Sequence, residues 1–246
     1  MSSAAPADAL PGQRPEYEFA VEPRSQWALT RRRFLRHRLA AVSLLIFAFV
    51  VTAGLFAGPL APYEYTHIDV HALNAGPSWS HLFGTDSVGH DYFSRVLVGL
   101  GVEVRIVLLV GVFGTLIGML LGATAGYFGG LFDNLVMRGI DVLLTMPPLV
   151  VLLVGASYLH ATTLVEISIL IACVVWMPVA RVVRASCLSL REMEYIEAAR
   201  AMGASDVRII VRQVLPNASG TVAVAASLMT AGAVILETTI AFLGFG

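Results

Sequence analysis

The side chains in this chain that invite a chemical reading first are His81, Asp86, His90 and Asp91, four potential metal ligands in one short stretch. Their spacing matches no recognised ligand pattern, so a turn capped by Asp86 and Asp91 is the expectation there, with no metal. Cys173 and Cys187 have no CxxC relation, which argues against a disulfide or a metal site. No nucleophile has a base at a family spacing, and no Gly-x-x-x-x-Gly-Lys loop is present to cradle a phosphate. Catalysis by this chain is therefore not expected, nor a resident cofactor. What remains is recognition, and the stretch built for it is the polar island Glu197-Ala198-Ala199-Arg200-Ala201-Met202-Gly203, continuing through Ala204-Ser205-Asp206 to Leu215-Pro216 between two apolar runs.

The island must be positioned by short helices. Ser189-Leu190-Arg191-Glu192 has the form of a capping box and predicts a helix start. Gly203 predicts its end, because glycine accepts the left-handed backbone that stops a helix. Ser205-Asp206 then offers a new N-cap and an acidic first turn, with the second helix running to Pro216. The small residues Ala198, Ala199, Ala201 and Gly203 permit another backbone to come close, while Ile196, Val207, Ile210, Val211 and Val214 supply an apolar side. On physics alone two readings stand, an ordinary amphipathic loop and a docking element for another protein.

Composition sets the surroundings. Of 246 residues 57% are hydrophobic and 13% charged, with a mean hydropathy of +0.77, which is too apolar for an ordinary soluble domain. An all-α, polytopic membrane protein follows, with about five spans. A net charge of -1 and the absence of a basic reading element give no case for nucleic acid.

In chain order, residues 1–30 form a Pro-rich flexible tail on the cytoplasmic side, and residues 31–57 a basic flank with the first transmembrane helix. Arg31, Arg32, Arg33, Arg36 and Arg38 precede the apolar run from Leu39 to Phe56 and place the N-terminus in the cytoplasm. Residues 58–104 read as an extracytoplasmic segment and 105–246 as a membrane core that holds the cytoplasmic loop 189–216.

The second span, Ile106 to Tyr127, carries Gly114, Gly118, Gly122 and Gly126 on one helix face, a packing stripe for close helix approach in lipid. Gly129-Gly130, Asp133, Arg138 and Asp141 mark a cytoplasmic connection. A third span from Val142 to Leu159 should kink or break at Met146-Pro147-Pro148. His160, Thr162 and Thr163 form an outer turn before a fourth span, Val165 to Val183, which contains Pro178 and carries Arg181 and Arg184 at its cytoplasmic end. A fifth covers Ala218 to Leu236, ended by Glu237 at the membrane interface, so that no span carries an acidic residue at mid-length.

Two stretches carry a family likeness. Glu197, Ala198, Ala199, Gly203, Leu215 and Pro216 resemble the EAA-x3-G-x9-I-x-LP signature of the membrane subunits of ABC importers, with Gln213 standing where the pattern has Ile. His81 to Arg95 resembles the FGTDxxGRDxxSR segment of the peptide and nickel permeases of that family, with His90 in the usual Arg place. The N-terminal arginines, first span and long outer segment look like the C-type subunit.

That resemblance, from about Arg31 to Gly246, implies a type I importer permease fold in a bacterial cytoplasmic (inner) membrane. Its partners would be a second homologous permease subunit, two ATP-binding subunits that hold ATP and Mg, an extracytoplasmic substrate-binding protein and a peptide substrate. Glu197, Ala198, Ala199, Arg200, Gly203, Asp206, Leu215 and Pro216 would dock the ATPase and transmit its closure to the spans. A nickel-chelate or glutathione cargo is the near alternative, and an ion-gradient secondary transporter or a scaffold subunit the distant ones. Related subunits continue through one more span beyond the stretch Glu237 to Gly246, so a shortened product or an incomplete chain is expected.

Overall fold

The computed structural model describes residues 37–160 and 163–245. The tail 1–30, the arginines Arg31, Arg32, Arg33 and Arg36, and Thr162 lie outside the described residues. The chain divides into two units, residues 1–49 and 50–246. The described part of the first is the greater part of helix α1 (Arg38–Leu55), an unbroken apolar segment of 18 residues, long enough to cross a bilayer.

The second unit is helical. Among the described residues its one β feature is an isolated bridge between Thr85 and Asp91. A single turn α2 (Ala57–Leu60) leads to an irregular segment, and then α3 (Tyr92–Phe128) runs for 37 residues. At 1.5 Å per residue α3 is about 55 Å long, well beyond the roughly 30 Å of a bilayer core. It therefore begins earlier than the sequence indicates: residues 92–104, expected as part of the extracytoplasmic segment 58–104, are helical. Asp91 starts the helix by accepting the N–H of Ser94 at 2.7 Å, and Gly101 is tolerated because it gives close passage to Gly54, whose carbonyl oxygen would lie 2.9 Å from any Cβ placed there.

Helices α4 (Gly130–Thr145) and α5 (Pro148–Leu159) meet at 90° at Met146-Pro147, so the expected third span from Val142 to Leu159 is two helices rather than one. Pro148 starts α5 well but has no N–H to continue α4. Helices α6 (Leu164–Val175) and α7 (Met177–Leu190) are bent by 44° at Trp176, just ahead of Pro178. Among the described residues three helices are long and apolar enough to cross a membrane, or up to five when each bent pair counts as one span.

Then come α8 (Glu194–Ala201), α9 (Asp206–Ile209), a π turn over Ile210–Val214, α10 (Leu215–Ile240) and a last π turn over Ala241–Phe245. Three expectations are corrected in this region. Ser189 lies in the last turn of α7 and caps nothing, because α7 runs on through Leu190; α8 starts instead at Met193, without a side-chain cap. The second short helix does not end at Pro216, for residues 206–240 form one continuous helical rod. The π turn makes this possible: its wider winding carries the Leu215 N–H to the Ile210 carbonyl and admits the ring of Pro216 at the start of α10. Nor does Glu237 end the span at an interface, since it is buried within α10. A capping box does occur, at Thr163 and Glu166, where it begins α6.

Besides a small cluster of Ile140, Met177 and Ala180, the core has two larger clusters. One packs Ala123 and Tyr127 of α3, Val179, Val183 and Cys187 of α7, and Val222 and Met229 of α10 with Ile196, Ile209 and Val214. The other joins Ile106 and Val110 to Leu152, Ile171, Ala233 and Ile240. The glycine stripe makes the first of the two dense. A Cβ on Gly114 would meet Met229 Sδ at 2.9 Å, on Gly118 Val179 Cβ at 2.8 Å, on Gly122 the Ala180 carbonyl oxygen at 2.4 Å, and on Gly126 the Arg184 carbonyl oxygen at 2.7 Å. Helices α3 and α7 are thus in backbone contact along one face, where dispersion accumulates without any help from water exclusion.

The segment ahead of α3 is held by polar contacts. Asp86 Oδ1 accepts the backbone N–H groups of Val88, Gly89 and His90 at 2.8–2.9 Å, and Oδ2 takes His90 Nδ1 at 2.9 Å and Arg95 Nη1 at 3.0 Å. Buried His81 lies between Asp91, 3.0 Å from Nδ1, and Asp69, 3.5 Å from Nε2, and stacks on Tyr63. His90 therefore does join an acidic partner, in company with Arg95.

The N–H donors, that of His90 foremost, hold the Asp86 carboxyl well below its usual range. A group depressed in this way stabilises fully above its unfolded pKa of about 3.9 and loses that contribution as pH falls below it. Protection of the His90 amide from hydrogen exchange is accordingly expected to decline only below about pH 4. In Asp86→Asn, whose amide nitrogen would face Arg95 and His90, protection should already be reduced at neutral pH. An Asn variant as protected as the wild type would refute this account of the turn.

Candidate functional site

The polar island folds into a compact knuckle at one end of the bundle. Helix α8 is short and amphipathic, with Ile196 and Ala199 buried and Glu197, Ala198 and Arg200 exposed. Its end is a Schellman turn: Gly203 N–H reaches the Arg200 carbonyl at 3.0 Å, Ala204 N–H reaches that of Ala199 at 3.1 Å, and Gly203 has φ +82°. Nothing lies within 4 Å of where a Gly203 side chain would project. Ser205 stands at the start of α9 without a side-chain cap bond. Ile209, Ile210 and Val214 turn inward with Ile196, whereas Val207 and Val211, expected on the same apolar side, are exposed.

The knuckle is keyed to the foot of α3. Tyr127 Oη donates to Asp206 Oδ1 at 2.7 Å and accepts from Arg200 Nη2 at 3.1 Å, with the guanidinium 5.6 Å from the ring centroid. One phenol thus bridges α8 and α9 across the turn at Gly203. That hydrogen bond also raises the Arg200 pKa above its usual value. A second tie joins Asn217 Nδ2 of α10 to the Tyr195 hydroxyl at 3.2 Å. Arg191, just after α7, donates to the Gly126 carbonyl at 3.3 Å and places a cation at the negative end of α3.

Neighbouring ion pairs brace α4 against α7. Arg184 grips Asp133 through two bonds, 2.5 and 2.6 Å, and Arg181 meets Asp141 at 2.5 Å. A two-pronged guanidinium–carboxylate contact fixes orientation as well as distance.

Of the residues that the sequence singles out, Glu197, Ala198, Gly203 and Pro216 are exposed, Leu215 is half-buried, and Ala199 faces the core. Arg200 and Asp206 are exposed but engaged by Tyr127. Gly114, Gly118, Gly122 and Gly126 lie in the helix contact described above, away from the knuckle surface. Two features went unread in the sequence. Tyr127 has no local signal, since its partners are far along the chain. Met202 at 82% exposure, with Val207, Val211, Met193 and Tyr195, makes an apolar surface around the turn. The signal for it was the pair of apolar residues flanking the Gly203 turn. A rigid, partly apolar knuckle with a solvent-facing glycine turn can seat in a groove and pass displacement to α3 and α10.

Residues 114–246 match the family model described as "Binding-protein-dependent transport system inner membrane component", and residues 25–77 match the "N-terminal TM domain of oligopeptide transport permease C". Among similar proteins is the Oligopeptide transport system permease protein OppC of Mycobacterium bovis, 37% identical over 223 residues, which are 90% of this chain and 77% of the relative. The protein of the same name from Haemophilus influenzae is 38% identical over 93% of this chain and 74% of its own length. The Putative peptide permease protein BruAb2_0794 of Brucella abortus is 36% identical over 89% and 72% respectively. The multi-helix bundle is accordingly that of the type I ABC importer permeases. A polar knuckle, a glycine-packed bundle and this extent of identity lead to one conclusion: the chain belongs to the family of binding-protein-dependent transport system inner membrane components.

Proposed function

We propose that this chain is a permease subunit of an ATP-driven peptide importer in a bacterial inner membrane, with its N-terminus and knuckle in the cytoplasm. Peptide as cargo is supported by the names of the relatives, which refer to oligopeptide and peptide transport. The observation that carries the mechanism is the helical rod from Asp206 to Ile240, which starts in the knuckle and continues as a helix long and apolar enough to cross a membrane. A partner seated on Glu197, Ala198, Met202, Gly203 and Pro216 would move that rod, and Tyr127 would carry the same displacement into α3.

In this reading ATP and Mg are bound by two partner ATPases, a second permease subunit completes the pathway, and an extracytoplasmic binding protein delivers the peptide. A partner can shift such an equilibrium only through contacts that differ between its two states, so knuckle and rod must move as one body. Against an ion-gradient transporter stand the lack of an internal repeat and of an acidic residue at mid-span: Glu237 lies three residues from the end of α10, and Glu103 in the first third of the overlong α3.

The deciding experiment is purification of the chain from its native host. Co-purification of ATPase subunits whose turnover rises with a peptide-loaded binding protein is expected. Uptake driven by an ion gradient, with no ATPase attached, would overturn the proposal.

A further inference from the structure

Glu103 of α3 and Glu237 of α10 lie close together, Glu103 reaching the hydroxyl of Thr238, the residue after Glu237. Glu237 is 7% exposed, and no described donor bonds to it. Glu103 Oε2 is buried and has no partner, while Oε1 lies 3.1 Å from the Thr238 hydroxyl. That hydroxyl is also 2.9 Å from the Val234 carbonyl, so its one hydrogen serves two acceptors.

No arginine or histidine pairs with either carboxylate among the described residues, and Arg105, nearby on α3, is exposed. The other side chains packed at this level, Ile106, Leu152, Ile171 and Ile240, are apolar. Glu103 is thus the titratable group that faces Glu237, and Thr238 the polar one. Ionised carboxylates only accept hydrogen bonds, and two of them in contact repel strongly where water is scarce. The contact needs a donor that the described residues do not supply.

We propose that Glu103 and Glu237 form a proton-binding site, in which a single proton lies between the two carboxyl groups and clasps α3 to α10. When the helices part, each carboxyl is solvated separately and the proton passes to water. Any process that moves α10 against α3 therefore carries a proton change, whatever the cargo. The sign follows directly: the clasp is present while the proton is bound and is lost when rising pH removes that proton.

The test uses the full chain in detergent. At neutral pH the wild type should show a protonated-carboxyl infrared band, shifted by D2O, and its unfolding temperature should fall as pH is raised. Glu103→Gln should abolish the band and flatten the pH dependence, because the amide N–H donates to an ionised Glu237 at any pH; Glu237→Gln should do the same in the opposite direction. Absence of the band in the wild type, which requires no variant to fold, would overturn the proposal. So would a pH dependence unchanged in both variants, or stabilisation of the wild type by sodium in place of acid.

Discussion

Gly122→Leu is expected to abolish accumulation of the folded protein. A Cβ at this position would lie 2.4 Å from the Ala180 carbonyl oxygen and 2.9 Å from Val183 Cβ, both on α7. Neither neighbour can yield, since one is helix backbone and the other a stiff β-branched side chain at 0% exposure. Relief requires α3 and α7 to move apart along the stripe that also includes Gly118 and Gly126. Overpacking of a tight core costs about 1–3 kcal/mol where side chains can adjust, and more is expected where backbone is struck. Gly111→Ala is the control: its Cβ would make ordinary contact with Thr230 at 3.6 Å, and alanine is the better helix former. The yield of folded protein in the membrane, compared across Gly111→Ala, Gly122→Ala and Gly122→Leu, should remain level and then fall in steps. Equal yields of all three would refute the close-contact account.

Gly203→Val should act differently, leaving membrane insertion intact while uncoupling uptake from ATP turnover. There is room for a side chain, so the penalty lies in the backbone: φ +82° is a conformation that β-branched residues avoid, at a cost of about 1–2 kcal/mol. Relief of that strain would dismantle the Schellman turn and separate Arg200 from Asp206, the two groups that Tyr127 holds together. The spans depend on contacts elsewhere and should persist. Gly203→Asn, which tolerates left-handed backbone, should retain most uptake. Uptake per unit of membrane-inserted protein is the measure. Unchanged uptake in the Val variant would count against the knuckle as a lever, and equal loss in Asn and Val against the backbone explanation.

The two predictions divide the molecule into a rigid part and a transmitting part. Bidentate Arg184–Asp133 pairing braces α4 on α7 near the knuckle, while the helical rod that starts at Asp206 reaches from the knuckle to Glu237 beside Glu103. The knuckle and the proposed proton site are then joined by one element.

Features governed by near neighbours were legible in the sequence. Membrane class followed from the apolar runs, the helix stop from Gly203, the break at Met146-Pro147 from a missing N–H, and the close-packed face from glycines at every fourth position. The Asp86 and Asp91 turn was legible for the same reason, since most of its donors lie within a few residues. Where local rules conflicted, the sequence misled: Ser189 has the pattern of a cap, but the apolar face of α7 carries on past it, and Pro216 looks like a stop, but a π turn accommodates it.

Tertiary packing alone decided the long-range pairings. Tyr127 and Asp206 are 79 residues apart, Arg184 and Asp133 are 51 apart, and Glu103 joins Glu237 from another helix. Each side chain by itself has several plausible partners along the chain. Which one it meets depends on the register in which α3 seats against α7 and α10, and that register is set by the summed fit of many side chains rather than by any single residue.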